Sequence, residues 1–124
     1  MDGLLESPRP LTLLGEIMKL KTEIASRYVV GLYDPEYCTY SYVSTLGHIR
    51  DVNSASTYES TDIALIQFDL KKVQYSQDRF YIKKGLKIMV SKVIVNSVRS
   101  KHHTRVMSVR LTKYNHYQKL ASLM

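Results

Sequence analysis

The chain has 124 residues, one cysteine and no tryptophan, and its 18 Lys/Arg against 11 Asp/Glu give a formal net charge of +7. This length suits a single domain with an ordinary hydrophobic core, and a lone cysteine excludes an internal disulfide. The charge is divided unevenly, because residues 1–70 carry a net charge of −5 and residues 71–124 a net charge of +12. Such a division is typical of a protein with a polyanionic partner, or of one that associates head to tail with itself.

The first segments predict a tail, a helix and a hairpin. Residues 1–10 contain one glycine and two prolines and are expected to form a flexible N-terminal tail. Residues 11–26 place Leu13, Ile17, Leu20 and Ile24 at helical spacing, which predicts an amphipathic helix packed on a sheet. Residues 27–33 and 38–44 flank an Asp-Pro turn and are expected to pair as strands, with Cys38 as a buried structural residue.

The middle of the chain predicts a loop followed by short strands. Residues 47–61 are rich in serine and without clear periodicity, which indicates a flexible loop. Residues 63–73 alternate in polarity and predict a strand with Ala64, Ile66, Phe68 and Leu70 on one face. Residues 79–83 predict another short strand, and the chain could close with a short C-terminal helix.

Together these segments predict one α+β domain over residues 11–124. An N-terminal amphipathic helix would pack on a mostly antiparallel sheet of five to six strands. No apolar run reaches the roughly 20 residues that cross a bilayer, and the acidic N-terminus does not resemble a secretory signal. We therefore expect an intracellular protein, cytoplasmic or nuclear, without a transmembrane segment.

The strongest pattern in the chain lies in residues 86–98 and 104–114. Pairing these segments antiparallel with Asn96 opposite Ser108 separates apolar from basic side chains, and a slip by one residue would mix them. The apolar face would carry Val93, Val95, Met107, Val109 and Leu111. The opposite face would carry Lys92, Asn96, Arg110, Thr112 and Tyr114, with Val90 and Ile94 among them.

The sequence contains no trustworthy catalytic, cofactor or metal signature. The five glycines are scattered, so no phosphate-binding loop is present, and the histidines lack the paired spacing of a zinc site. An enzyme, a cofactor, a bound metal and a small-molecule substrate are therefore not expected.

The favoured hypothesis is a nucleic-acid-binding protein, with RNA the expected partner, that neutralises phosphates with a basic β-hairpin. The candidate binding residues are Lys83, Lys84, Lys87, Lys92, Arg99, Lys101, Arg105, Arg110 and Lys113, with Tyr114 available to stack on a base. One alternative is a small self-assembling protein of the viral matrix type, homo-oligomeric and docked on anionic membrane. Another is an adaptor whose basic side binds an acidic protein segment.

Overall fold

A computed structural model describes residues 21–112 and 116–123, which form a six-stranded antiparallel sheet with one long helix. The strands are β1 (Lys21–Asp34), β2 (Thr39–Ser44), β3 (Gly47–Ile49), β4 (Lys87–Arg99), β5 (Thr104–Leu111) and β6 (Gln118–Ser122). The α-helices are α1 (Thr61–Ser76) and α2 (Arg79–Lys83), and a single 3-10 turn spans Val52–Ser54. No helix in this part of the chain is long and apolar enough to cross a membrane, as predicted.

The sheet is organised around the long pair formed by β1 and β4. The strand order is β3-β2-β1-β4-β5, and every pairing is antiparallel. β1 follows β4 along its whole length, from Lys21 opposite Arg99 to Tyr33 opposite Lys87. The edge of β4 that does not face β1 is shared by two strands. β5 pairs with residues 93–99 of β4, and β6 pairs with residues 87–91.

The hydrophobic core consists of two clusters, one on each face of the sheet. On the face that we call the front, α1 packs its Ala64 and Phe68 against Val30, Ile88 and Val90. On the back face, Val29, Met89, Val93, Val95 and Val109 form the second cluster. Val52 and Ala55, in and beside the 3-10 turn, cover that cluster, and the Asn53 Oδ1 accepts a hydrogen bond of 2.7 Å from the Val109 N–H.

The prediction of a strand at residues 63–73 is wrong, because this segment lies within α1. Ser60 caps the helix by accepting a hydrogen bond of 3.3 Å from the Ile63 N–H, and Asp62 lies in the first turn, where its charge suits the helix dipole. The helix buries Ala64 and Phe68 and exposes Ile66 and Leu70, which a strand would have placed on one face. Alternation over four positions was therefore a weak signal, and the packing of Ala64, Phe68 and Tyr75 on the sheet favours the helix.

The predicted short strand at residues 79–83 is also wrong, since these residues form α2. The Asp78 side chain caps this helix by accepting a hydrogen bond of 2.9 Å from the Phe80 N–H. Gly85 follows with φ of 68°, a left-handed conformation that glycine adopts without strain and that turns the chain into β4.

The predicted α+β fold with an N-terminal helix packed on the sheet is wrong. Residues 21–26 of that predicted helix form the start of β1, where Ile24 is 71% exposed, and residues 11–20 lie outside the described residues. The helix that packs on the sheet is α1, from the middle of the chain. A short C-terminal helix is not formed either, because residues 118–122 pair with β4 as β6. The predicted flexible tail, residues 1–10, also lies outside the described residues.

The serine-rich segment between β3 and α1 is attached to the sheet at several points. The Ser56 N–H donates to the Val43 carbonyl at 2.9 Å, and Tyr58 exchanges two backbone hydrogen bonds with Tyr28 at 2.8 and 2.9 Å. Arg27 adds a side-chain hydrogen bond of 2.8 Å to the Thr57 hydroxyl. These bonds lead the chain from the back face of the sheet, around β1, to the helix on the front.

A histidine–tyrosine pair joins α1 to the short strand β3. The Tyr75 hydroxyl lies 2.7 Å from the His48 Nε2, and Tyr75 stacks at a tilt on Tyr81 with ring centroids 4.8 Å apart. Burial raises the pKa of Tyr75, and burial together with the nearby Lys71 charge lowers the pKa of His48. Near neutral pH the hydrogen bond therefore joins a protonated tyrosine hydroxyl to an uncharged imidazole.

Cys38 is not buried as predicted. It is exposed in the turn between β1 and β2 and has φ of 53°, a left-handed conformation that is uncommon for a residue with a side chain. The left-handed backbone at Cys38 helps the chain to reverse its direction between β1 and β2. Because Cys38 lies in this turn, its side chain is exposed.

Candidate nucleic-acid interface

From Val93 to Asn96, the β4–β5 pair has the register that the sequence predicts. Asn96 lies opposite Ser108, and the Asn96 amide donates a hydrogen bond of 3.1 Å to the Ser108 hydroxyl. A β-bulge next to this pair shifts the register toward the hairpin end, so that Ser97 lies opposite Val106. The extra residue, Met107, is 57% exposed and lines a recess with Val98 and Arg105, so its predicted place on the apolar face is wrong.

Beyond the area that α1 covers, the front face of the sheet continues over β1, β4 and β5. Residues opposite one another share a face, and side chains alternate along each strand, so the register fixes its members. The rows across the three strands are Ser26–Ile94–Arg110, Ile24–Asn96–Ser108 and Thr22–Val98–Arg105. We call these nine residues, together with Lys92, the open front face; it is about 10 Å wide from β1 to β5.

The open front face carries three cations and no acidic residue. Lys92, Arg105 and Arg110 are distributed along it, and Arg105 and Arg110 are exposed. The two acids of neighbouring segments pair with other cations: Glu23, on the back face, lies 3.9 Å from Arg99, and Glu59 lies 3.8 Å from Arg27. The positive charge of the face is therefore not neutralised by acids on the face itself.

A groove of about 370 Å³ lies at one end of this face, where β5 ends. Its lining includes Lys92, Ile94, Arg110, Thr112 and His116. The Lys92 backbone is hydrogen-bonded to the two chain segments beside the groove. Its N–H donates to the Tyr117 carbonyl at 3.1 Å, and its carbonyl accepts from the Thr112 N–H at 3.4 Å. The buried Thr112 hydroxyl has no hydrogen-bond partner among the residues that the structure describes. Cationic side chains around a hydroxyl donor are the groups that bind phosphate oxygens in proteins.

A second recess, of about 320 Å³, lies at the hairpin end of the same face. It is lined by Val98, Ser100, His103, Arg105 and Met107. The turn is closed by the Ser100 N–H, which donates to the His103 carbonyl at 2.8 Å, and by the Ser100 hydroxyl, which donates to the same carbonyl at 3.1 Å. Arg105 is thus presented from an ordered hairpin end.

The structure separates the predicted binding residues into two groups, one at the start of β4 and one from its middle to the hairpin end. Lys92, Arg105 and Arg110 lie on the open front face, and the exposed Lys101 lies in the adjoining turn. Arg99 belongs to the back face, where it pairs with Glu23. The second group is Lys87, at the start of β4 and about 40 Å from Arg99, with Lys83 and Lys84 at the end of α2. Lys113 and Tyr114 lie outside the described residues.

The contribution of β1 to this face was not predicted. Thr22, Ile24 and Ser26 were assigned to a helix, and the polarity of residues 21–28 does not alternate with period 2, so the local sequence carries no clear signal for a strand. Thr112 was placed on the basic face. Its buried hydroxyl and its position beside His116 depend on the pairing of β6 with β4, which no local pattern in the sequence indicates.

Comparisons of the chain with protein-family models, with curated proteins and with solved structures find no match. The function is therefore inferred from the chemistry of the open front face.

Proposed function

We propose that the protein is a non-enzymatic binder of polyanions, with single-stranded RNA as its partner, and that the open front face is its interface. The observation that carries the proposal is a sheet face with three cations and no acid, beside a groove lined by Thr112, whose hydroxyl has no hydrogen-bond partner within residues 21–112 and 116–123. Lys and Arg on such a face neutralise phosphates and release counterions, which gives affinity that depends little on base sequence.

The side chains between the cations favour a single strand. Ile24, Ile94 and Val98 offer apolar surface for unstacked bases, which a duplex would keep hidden. In the middle row, the Asn96 amide donates to Ser108, which leaves the Asn96 carbonyl and the Ser108 O–H available to a ligand. A 2′-hydroxyl is both donor and acceptor and suits this pair, which is the reason for preferring RNA to DNA.

The test compares two triple variants that remove equal charge from these two groups of residues. The interface variant is Lys92→Gln/Arg105→Gln/Arg110→Gln, and the matched control is Lys83→Gln/Lys84→Gln/Lys87→Gln. Binding of a fluorescent single-stranded RNA is measured by anisotropy between about 50 and 200 mM salt. Loss of three phosphate contacts should lower the slope of log K against log salt by about 2, at about 0.7 for each contact with a single strand.

We expect the interface variant to lose at least tenfold in affinity and the control to lose far less. Equal losses in both variants would show that net charge, and not the open front face, determines binding. Unlabelled DNA of the same sequence, added as a competitor, tests the preference for RNA.

Absence of RNA binding by the unmodified chain would reject the proposal. Sedimentation with phosphatidylserine vesicles would then test the membrane alternative, since a polybasic face also attracts an anionic leaflet.

A further inference from the structure

Helix α1 is apolar on two sides, and only one side faces the core. Ala64, Phe68 and Tyr75 are buried against the sheet. On the outer side, four aliphatic residues form a continuous exposed line that we call the helix stripe. They are Ile63, Ile66, Leu70 and Val73, with exposed fractions of 43%, 58%, 59% and 59%. A contiguous exposed line of large apolar side chains is typical of an interaction surface.

The spacing of the helix stripe matches that of a helix pair. Its members are separated by three, four and three residues, the spacing of the a and d positions in a coiled-coil seam. The order of these separations is the same from either end of the helix. Two copies of α1 packed antiparallel would therefore place Ile63 opposite Val73 of the second copy and Ile66 opposite Leu70 of the second copy. A surface that matches itself in this way is what a two-fold symmetric interface requires.

The charges near the two ends of α1 also complement each other in this orientation. Glu59 and Asp62 lie at the N-terminal end, and Lys71 and Lys72 lie toward the C-terminal end, with Arg79 just beyond it. Antiparallel packing brings the acidic end of each helix to the basic end of the other, and the helix dipoles are then opposed as well. Parallel packing would place acid beside acid and base beside base at both ends, whereas antiparallel packing brings like charges together at Asp69, near the midpoint of the helix.

We propose that the protein forms a homodimer in which two α1 helices pack antiparallel through the helix stripe. The stripe is on the side of α1 that faces away from the sheet, so the open front face stays accessible in the dimer. The helix is about 24 Å long, and four aliphatic residues per copy place the contact at the small end of stable interfaces. The dimer is therefore expected to dissociate on dilution to micromolar concentrations.

The test is sedimentation equilibrium of the full chain over a range of concentrations. The expected mass approaches twice the 14.3 kDa of one chain as the concentration rises. Ile66→Gln/Leu70→Gln should weaken the dimer at least tenfold while the circular dichroism spectrum of the fold is kept, because glutamine is a good helix former and both sites are exposed. The matched control, Leu46→Gln/Val106→Gln, replaces two exposed aliphatic residues outside both the helix stripe and the open front face and should leave the mass unchanged.

Cysteine cross-linking tests the orientation, in a background with Cys38→Ser. Asp69→Cys lies next to the midpoint of the stripe, so in the antiparallel dimer it meets its own copy and should form a disulfide. Ile63→Cys, at one end of the stripe, should not. A disulfide at Ile63→Cys would show parallel packing and overturn the proposed geometry. A chain that stays monomeric at every concentration, or a glutamine variant that dimerises as well as the unmodified chain, would overturn the interface itself.

Discussion

Replacing Phe68 with alanine is expected to lower the free energy of unfolding of the domain by several kcal/mol. Phe68 is 1% exposed, lies in the front cluster with Val30, Ile88 and Val90, and has the Lys119 ammonium 4.8 Å from its ring centroid. Truncation of a buried phenylalanine costs about 3–5 kcal/mol, from lost transfer free energy and from the cavity left behind. Since small domains have a free energy of unfolding of about 5–15 kcal/mol, this loss is a substantial part of the stability of the domain.

The matched variant is Leu70→Ala, two residues further along the same helix. Leu70 is 59% exposed, so its truncation should cost about 1 kcal/mol or less. A strand would put both side chains on one face and make the two costs similar, so the comparison tests the helix directly. Urea unfolding followed by circular dichroism gives both free energies, with an unchanged m value as evidence that the transition is the same.

Equal losses in Phe68→Ala and Leu70→Ala would refute the assignment of this segment to a helix with Phe68 inward. The measurement is made on dilute protein, because dimerisation through the helix stripe would add a concentration-dependent cost to Leu70→Ala. The cost of Phe68→Ala should not depend on concentration in that way.

Three further predictions follow from buried or constrained positions. The pKa of His48 is lowered in the folded chain, so the unfolded chain binds the proton more readily, and stability should fall as the pH drops below about 6.5. His48→Gln should flatten that part of a plot of melting temperature against pH, and an unchanged slope would contradict the role of this histidine. Gly31→Ala would drive a methyl group into the Ser41 carbonyl of β2 and should cost at least 1–3 kcal/mol in urea unfolding, whereas a neutral result would mean that β1 and β2 are not so closely paired. Cys38→Gly should stabilise the turn by about 1 kcal/mol, because glycine adopts the left-handed conformation without strain, and a lower melting temperature would argue against that conformation.

The register of the β4–β5 hairpin could be read from the sequence because it depends on neighbours in the chain. Few residues separate the two strands, and the alternation of apolar and basic side chains permits one pairing in which Asn96 meets Ser108. The bulge beside that pair was not predictable, since an extra residue leaves the alternation of β4 unchanged. It shifts Thr104, Arg105 and Val106 by one position against β4, which places Arg105 opposite Val98 on the front face.

The sequence by itself determined the concentration of positive charge in the second half of the chain and the separation of apolar from basic side chains in one hairpin. Only the tertiary structure decided that residues 21–26 are a strand and that residues 61–76 are a helix. β1 gains thirteen residue pairs with β4, which lies 54 to 78 positions further along the chain, and contacts of that kind can outweigh a local helical spacing. The same long-range pairing decides which cations act together, because it extends the front face across β1 and leaves Arg99 on the back beside Glu23.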